Sequence, residues 1–521
     1  MKARLILVLH SHIPYVMRQG RWPFGEVWLF EAMAETYIPF IRSWARLLQE
    51  GYRVPLTISM SPTLLEQLAS PYIQEGFIKY LKEREDMATT EEKHFLASGQ
   101  KELASLANFY RCFYRDVRRD YVLDFDCDII KIIKSFKDRV PLEVIATAGT
   151  HAYLPLLKDH DSLERQITRG IETFTKQLGT PPAGFWLPEC GYYQGLEDIL
   201  ARCGIRYFFV DSHAIEGGKP PQVYSEMEEL VDDQVDDFAE TGLSTFRGYR
   251  IKDKDIAVFG RNAMISHQVW SKHWGYPGDA AYREFHKTSE KSGFKYWKVT
   301  DRKSDMGTKT FYDADEARIK AKEHAAHFNR VLTNSAREAI KLGFRSPLIV
   351  GCYDTELFGH WWWEGVDWIE EVMRLIAHNE ELEQVLPSTI LQSWDKMPEA
   401  QVFESSWGMG GKHFGWHNNE TNWMWETIKL AREEYKSIQG SCENELVIEA
   451  ASQAEKELML MESSDWFFMV TNNHTQDYAV TRFFDHYARL VRLTDMVKRN
   501  QFSPEDITWM RDIEKEDQLF T

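Results

Sequence analysis

Residues 347–365 read PLIVGCYDTELFGHWWWEG. A short apolar run, Pro347–Gly351, has the character of a buried strand and ends in two acids, Asp354 and Glu356, followed by three tryptophans. Six similar runs precede it: Leu5–His10, Pro55–Met60, Glu143–Ala148, Gly184–Leu187, Tyr207–Asp211 and Ile256–Gly260. Near-continuous apolar runs of this length suit strands covered on both faces. Helical patterns such as residues 162–178 and 194–203 lie between them, and alternation of strand and helix implies a parallel sheet. Polar residues follow nearly every run: His10 and His12, then Gly149-Thr150-His151, Glu189, Asp211 and His213, Arg261 and Asn262, and finally Asp354 and Glu356. A lone strand-end Asp is commonly a helix cap. Six such ends on one rim point instead to the active face of a seven-stranded (β/α) barrel.

Two inserts interrupt the pattern. Residues 75–135 carry apolar positions at three- and four-residue spacing and are expected to be helical. Residues 214–250 are Gly/Pro-rich and then acidic, as suits an exposed loop or lid. The expected organisation is an α/β barrel over residues 1–400 and an α-helical C-terminal domain over 401–521. The three tryptophans after Gly359 are expected to open a helix with at least one ring turned inward.

The net charge is −18, and no basic block stands out. Phosphate backbones need clustered Lys and Arg, so a nucleic-acid or anionic-membrane partner is disfavoured. Six scattered cysteines without a CxxC pair suit reduced thiols rather than a disulfide or zinc framework. The N-terminal apolar run is too short for a signal sequence and no window approaches a membrane span. A cytoplasmic protein is expected.

Aromatic residues are 13% of the chain, with 18 tryptophans. They serve a large core or stack on sugar rings. Trp22, Trp28, Trp270, Trp407 and Trp416 are the candidate platforms. Carboxylates from separate strands suit glycoside cleavage, in which one acid protonates the leaving oxygen and the other attacks. The His10-Ser11-His12 pattern could instead hold a metal with His151, Asp211 or His213, as in a metal-dependent deacetylase. Neutral histidines at a barrel mouth serve equally as partners for sugar hydroxyls. No GxSxG elbow, P-loop or dinucleotide fingerprint is present.

Four ordered motifs, His10–Tyr15, Gly149–Pro155, Trp186–Tyr192 and Tyr353–Trp362, resemble the signature regions of glycoside hydrolase family 57. They are most similar to its 1,4-α-glucan branching enzymes. The likeness continues through Val269-Trp270, Gly275–Gly278, Glu404–Gly408 and Ser464–Phe468. The resemblance implies a retaining enzyme acting on α-1,4-glucans (amylose, glycogen, maltooligosaccharides) without metal or cofactor. It implies Glu189 as nucleophile and Asp354 as general acid/base, with carboxyl groups about 5–5.5 Å apart. His10, His12 and His151 would hold the sugar at the cleavage point, joined by Asp211, Arg261 and Asp465. Asp354 should bind its proton unusually tightly, through Glu189 and nearby tryptophans; Glu356 is read as a supporting residue. Branching relatives are similar in having a long loop with a tyrosine near its tip. The corresponding stretch here, about 222–250, is acidic, and none of Tyr224, Phe238, Phe246 and Tyr249 is anchored by a matching motif. An amylase-type hydrolase would use the same catalytic pair, and a non-catalytic glucan-binding protein would not need it.

Overall fold

The computed structural model describes residues 2–218, 220, 240–271, 275–303 and 305–520. Its strands are β1 (Ala3–Ser11), β2 (Leu56–Met60), β3 (Leu142–Ile145), β4 (Gly184–Phe185) and β5 (Tyr207–Val210), followed by β6 (Tyr249–Ile251), β7 (Ala257–Gly260), β8 (Leu348–Asp354), β9 (Leu382–Gln384) and β10 (Glu399–Ala400). Two parallel arrays, β3-β2-β1-β8 and β4-β5-β7, form the wall. A bridge between Ala146 and Phe185 joins them on one side. On the other side the Asn262 amide donates to the Val350 carbonyl at 2.8 Å. The result is a (β/α)7 barrel of the seven expected strands. Strand β6 runs antiparallel to β7, β9 pairs beside β1, and β10 pairs beside β6.

Alternation along the strands decides what reaches the mouth. Ile6 and Val8, Tyr207 and Phe209, Ala257 and Phe259, and Val350 and Cys352 share one apolar cluster. Leu5, Leu7, Leu9, Phe208, Val258 and Tyr353 belong to the other, which continues into the surrounding helices. Side chains two residues apart on a strand share a face. His10, Asp211, Arg261 and Asp354 therefore continue the first set, on the barrel-interior side.

The first insert folds as the long helices Pro71–Ala97 and Lys101–Arg119, followed by Ile129–Lys137. Proline starts the first, and the Asp128 carboxylate caps the third. Of the acidic insert, Tyr224 and Phe238 lie outside the described residues. Phe246 packs near Phe344 at 5.7 Å, and Tyr249 is buried in β6 with its hydroxyl on the Ser244 carbonyl. Phe246 thus lies in a turn packed on the barrel and Tyr249 in β6 beside its wall.

The tryptophan run does not open a helix. Gly359–Glu364 form turns, and the helix begins at Gly365. At φ 108°, Gly359 takes a backbone form that side chains avoid, and a Cβ there would lie 1.9 Å from the Glu35 carbonyl oxygen. Trp362 points inward and is buried, while Trp361 is exposed.

Helices Asn422–Lys436, Glu445–Met461, Ser464–Thr471, Gln476–Arg499 and Pro504–Glu516 follow. The chain breaks at Glu462-Ser463 between the second and third of these, and that break brings Ser464 and Asp465 to the barrel mouth.

Candidate active site

Three non-glycine residues at the mouth adopt left-handed backbone: His151 (φ 55°), Glu189 (φ 60°) and Cys190 (φ 51°). Each such residue costs on the order of 1 kcal/mol and persists only where its surroundings hold it. Here the strain accompanies the sharp turns after β3 and β4.

Glu189 sits in a cage built from distant parts of the chain. The Trp407 indole N–H donates to its Oε2 at 2.6 Å, and the Ser464 hydroxyl lies 3.5 Å from its Oε1. His151 Nδ1 is 3.8 Å from Oε1 and shares a 2.9 Å hydrogen bond with Ser464. Burial pushes the Glu189 carboxyl up to about 8; the Trp407 hydrogen bond works against this, and the negative charge of Asp354 adds to it.

Asp354 is also pushed up to about 8, first by burial and then by the charge of Glu356, with Arg261 opposing. The expected tightening thus exists, but Glu356 supplies the charge contribution expected from Glu189. Two residues apart on a continuing strand, Asp354 and Glu356 would share a face. The strand instead ends at Asp354, and the turn Thr355–Leu357 carries Glu356 to a separate anchor. There the Tyr37 hydroxyl and the His12 backbone N–H (3.2 Å) donate to its Oε1. Tyr37 closes a single π-helical turn, Met33–Tyr37. Such one-residue expansions of a helix recur at functional sites.

The histidines form a wall. His10 Nε2 and His151 Nε2 are 2.9 Å apart, and the His12 and His151 rings stack at 3.9 Å. His10 also stacks on Trp186 at 5.0 Å and hydrogen-bonds Ser59. Burial, reinforced by neighbouring histidines, holds His10 well below the usual imidazole range, and burial does the same for His151. Neutral rings each offer one donor and one acceptor, a set matched to hydroxyl groups. His12 bonds Ser61 at 2.8 Å and Asp465 at 3.0 Å. Burial opposes the Asp465 anion, but His12 and Ser463 outweigh it and keep Asp465 below its ordinary range. Among the described residues, the one group of three acid or histidine ligand atoms within 4.8 Å of one another is Glu457, His486 and Asp517, in the C-terminal helices rather than at this mouth.

Asp211 and Arg261 form a buried 2.6 Å ion pair beneath the site. Burial works against the Asp211 charge, but Arg261 overcomes it and lowers the carboxyl. The same guanidinium lies 5.2 Å from the Trp407 ring centroid, so the pair supports the indole that holds Glu189.

The other tryptophans divide. Trp270 is half-buried, 6.2 Å from the exposed Trp361. Trp28 is half-buried against Phe24 and Tyr478, and Trp22 is 78% exposed. Trp22 and Trp28 lie outside the contacts that join the carboxylates and histidines. Trp416 does not offer a platform. It is 1% exposed and stacked on Tyr153 at 4.1 Å, and its bulk fills the space beside Gly408. Sequence reasoning missed Ser59, Ser61, Ser464 and Tyr37, because a serine or tyrosine aimed at a buried ring or carboxylate leaves no periodic trace. Only the Ser464–Phe468 motif holds a signal, and within it the charged Asp465 stands out over Ser464.

Residues 6–404 match glycosyl hydrolase family 57, and residues 427–521 match the family "1,4-alpha-glucan branching enzyme, C-terminal". The chain is 37% identical to a 1,4-alpha-glucan branching enzyme of Thermococcus kodakarensis, across 100% of this chain and 78% of that protein. The crystal structure of that enzyme superposes with a TM-score of 0.90, covering 100% of this chain and 95% of the other. The alpha-amylase AmyC of Thermotoga maritima is 28% identical with a TM-score of 0.85, covering 100% and 98%. From its barrel through its C-terminal helices, the chain belongs to glycosyl hydrolase family 57.

Proposed function

We propose that this protein is a retaining 1,4-α-glucan branching enzyme, with Glu189 as nucleophile and Asp354 as general acid/base. The observation that carries the reading is the match to the branching-enzyme C-terminal family, joined to full-length 37% identity with a branching enzyme. The site chemistry supports it. Asp354 holds its proton near neutrality and can give it to the departing glucan oxygen, while Glu189 attacks the anomeric carbon and forms a glycosyl-enzyme. Trp407 and Ser464 stabilise the Glu189 anion that attack requires. Asp354, now a base, then takes a proton from the 6-hydroxyl of an acceptor chain, which makes an α-1,6 branch. His10, His12, His151 and Asp465 hold hydroxyls of the sugar at the cleavage point. Trp270 and Trp407, with Trp22 and Trp28 further out, line the chain path.

Residues 1–400 are proposed as the catalytic unit and 401–521 as a helical unit that lends Trp407, Ser464 and Asp465 to it. The substrates would be amylose, glycogen and maltooligosaccharides, and the setting cytoplasmic glycogen synthesis. No helix among the described residues is long and apolar enough to cross a membrane.

The likeness to the Thermotoga maritima amylase favours one second reading, hydrolysis by the same pair. Incubation with amylose decides between them, with new α-1,6 linkages counted by proton NMR beside new reducing ends. Branching predicts that α-1,6 linkages dominate and vanish in Glu189→Gln. Dominant reducing ends would make the protein a hydrolase.

A further inference from the structure

Beyond the mouth, helix Lys101–Arg119 encloses a trough of about 1160 Å³ with Lys287, Trp297, Lys298 and residues 307–318. Its floor is aromatic. Trp297 and Phe311 pair across an antiparallel bridge, their rings 6.5 Å apart and tilted by 33°. Directly opposed cross-strand residues project from the same side, so the two rings form one bent platform. Phe311 is 37% exposed, Trp297 is half-buried, and Lys287 Nζ lies 4.5 Å from the Trp297 ring centroid. Phe109, half-buried, extends the platform along the trough.

The trough does not end there. Phe109 and Arg318 also line a second cavity of about 280 Å³, whose other walls include Phe113 and Trp363. Phe109 and Phe113 lie 6.0 and 4.7 Å from Trp363. Trp363 closes the loop whose Trp361 stands beside Trp270. Phe109 thus joins the trough of Trp297 and Phe311 to the cavity beside Trp363.

The polar lining selects the ligand. Although the whole chain is strongly acidic, acids and bases line the trough in equal number. Several are paired: Lys298 with Glu316 (2.6 Å), Arg318 with Asp315 (3.1 Å) and Lys309 with Glu284 (2.8 Å). Paired charges leave no net field to draw an ion or a nucleic acid. They do offer hydrogen-bond donors and acceptors beside flat apolar rings, and a neutral polyhydroxylated chain with C–H faces uses both.

We propose that this trough is a second glucan-binding site, with Trp297 and Phe311 as its platform. An α-1,4-glucan curves along its length, and two rings bent by 33° match successive sugar faces better than a flat pair would. Holding one stretch of a polymer here raises the effective concentration of its remainder at the mouth. The inference rests on the reading of the enzyme as glucan-acting.

Native-gel affinity electrophoresis in glycogen, run with Trp297→Ala and Phe311→Ala, tests it. Phe311→Ala removes an exposed ring and guards against a folding defect, and melting temperature is recorded for each variant. The expected result is at least a threefold weaker retardation constant in both variants. Turnover of amylose at low concentration should also fall, with kcat on maltoheptaose kept. Wild-type retardation in a normally melting variant would overturn the proposal while leaving the enzyme reading intact. A wild-type protein that neither acts on amylose nor is retarded would overturn both.

Discussion

The Trp407 indole nitrogen donates to Glu189 Oε2 at 2.6 Å across 218 residues of sequence. This contact favours the carboxylate over the acid and works against the burial that raises the group. In Trp407→Phe the ring remains and the donor goes. The Glu189 proton affinity then rises, so the acid limb of kcat/KM moves to higher pH. A hydrogen bond to a charged group is worth about 1.5–3 kcal/mol, so the maximal rate should fall on the order of tenfold to a hundredfold. An unchanged acid limb would show that the indole does not control Glu189.

On the proposed roles, replacing Asp354 by Asn removes the proton donor without removing the nucleophile. With amylose the rate should fall about a thousandfold, within the range of general acid catalysis. With an aryl α-maltoside the leaving group needs little protonation, so a burst of released phenol should survive. Glu189→Gln should abolish that burst. A burst in Glu189→Gln would assign the nucleophile elsewhere.

Glu356 adds negative charge beside Asp354 and so helps it keep its proton. In Glu356→Gln that charge is gone and the Asp354 carboxyl releases its proton more readily. The basic limb of the pH profile should therefore move to lower pH, by about one unit. A variant that merely loosens the fold would lose rate at every pH and leave the limb in place.

The buried carboxyls of Glu189 and Asp354 also set a stability gradient. Each has a folded value near 8, above the ordinary carboxyl value of about 4, so the native state binds more protons than the unfolded chain. Stability from these groups is complete below about pH 4 and is lost as pH rises toward 8. The Glu189→Gln and Asp354→Asn proteins should match wild type in melting temperature near pH 4 and exceed it at pH 8, by about 2 °C or more. Equal curves at both values would refute the gradient.

The Asp211–Arg261 pair predicts the opposite sign of effect on substitution. Arg261→Met strands a buried carboxylate, and breaking a buried pair costs about 3–5 kcal/mol. Urea unfolding of the variant should show that loss. The double variant Asp211→Asn/Arg261→Met should recover part of it, since no charge is then left unpaired.

Most of the barrel was legible in the chain. The seven strands are short apolar runs, and a run covered on both faces needs no tertiary information to be recognised. Once strand ends are known, alternation places His10, Asp211, Arg261 and Asp354 on the interior side, and four ordered motifs name the family. The helical inserts and C-terminal helices were equally visible, because a repeat of 3.6 residues is a local property.

Tertiary structure decided the rest. Glu189 meets Trp407 and Ser464, and His12 meets Asp465, across hundreds of residues, and no local pattern records such pairings. The left-handed backbone at His151 and Glu189 is held by its surroundings against local preference. The tryptophan run forms turns rather than a helix because Gly359 lies against the Glu35 carbonyl, a contact between two separate elements. An aromatic residue type makes Trp416 a candidate sugar platform, yet its ring packs on Tyr153 instead. Residue type fixes what a side chain can do, and only packing fixes what it touches.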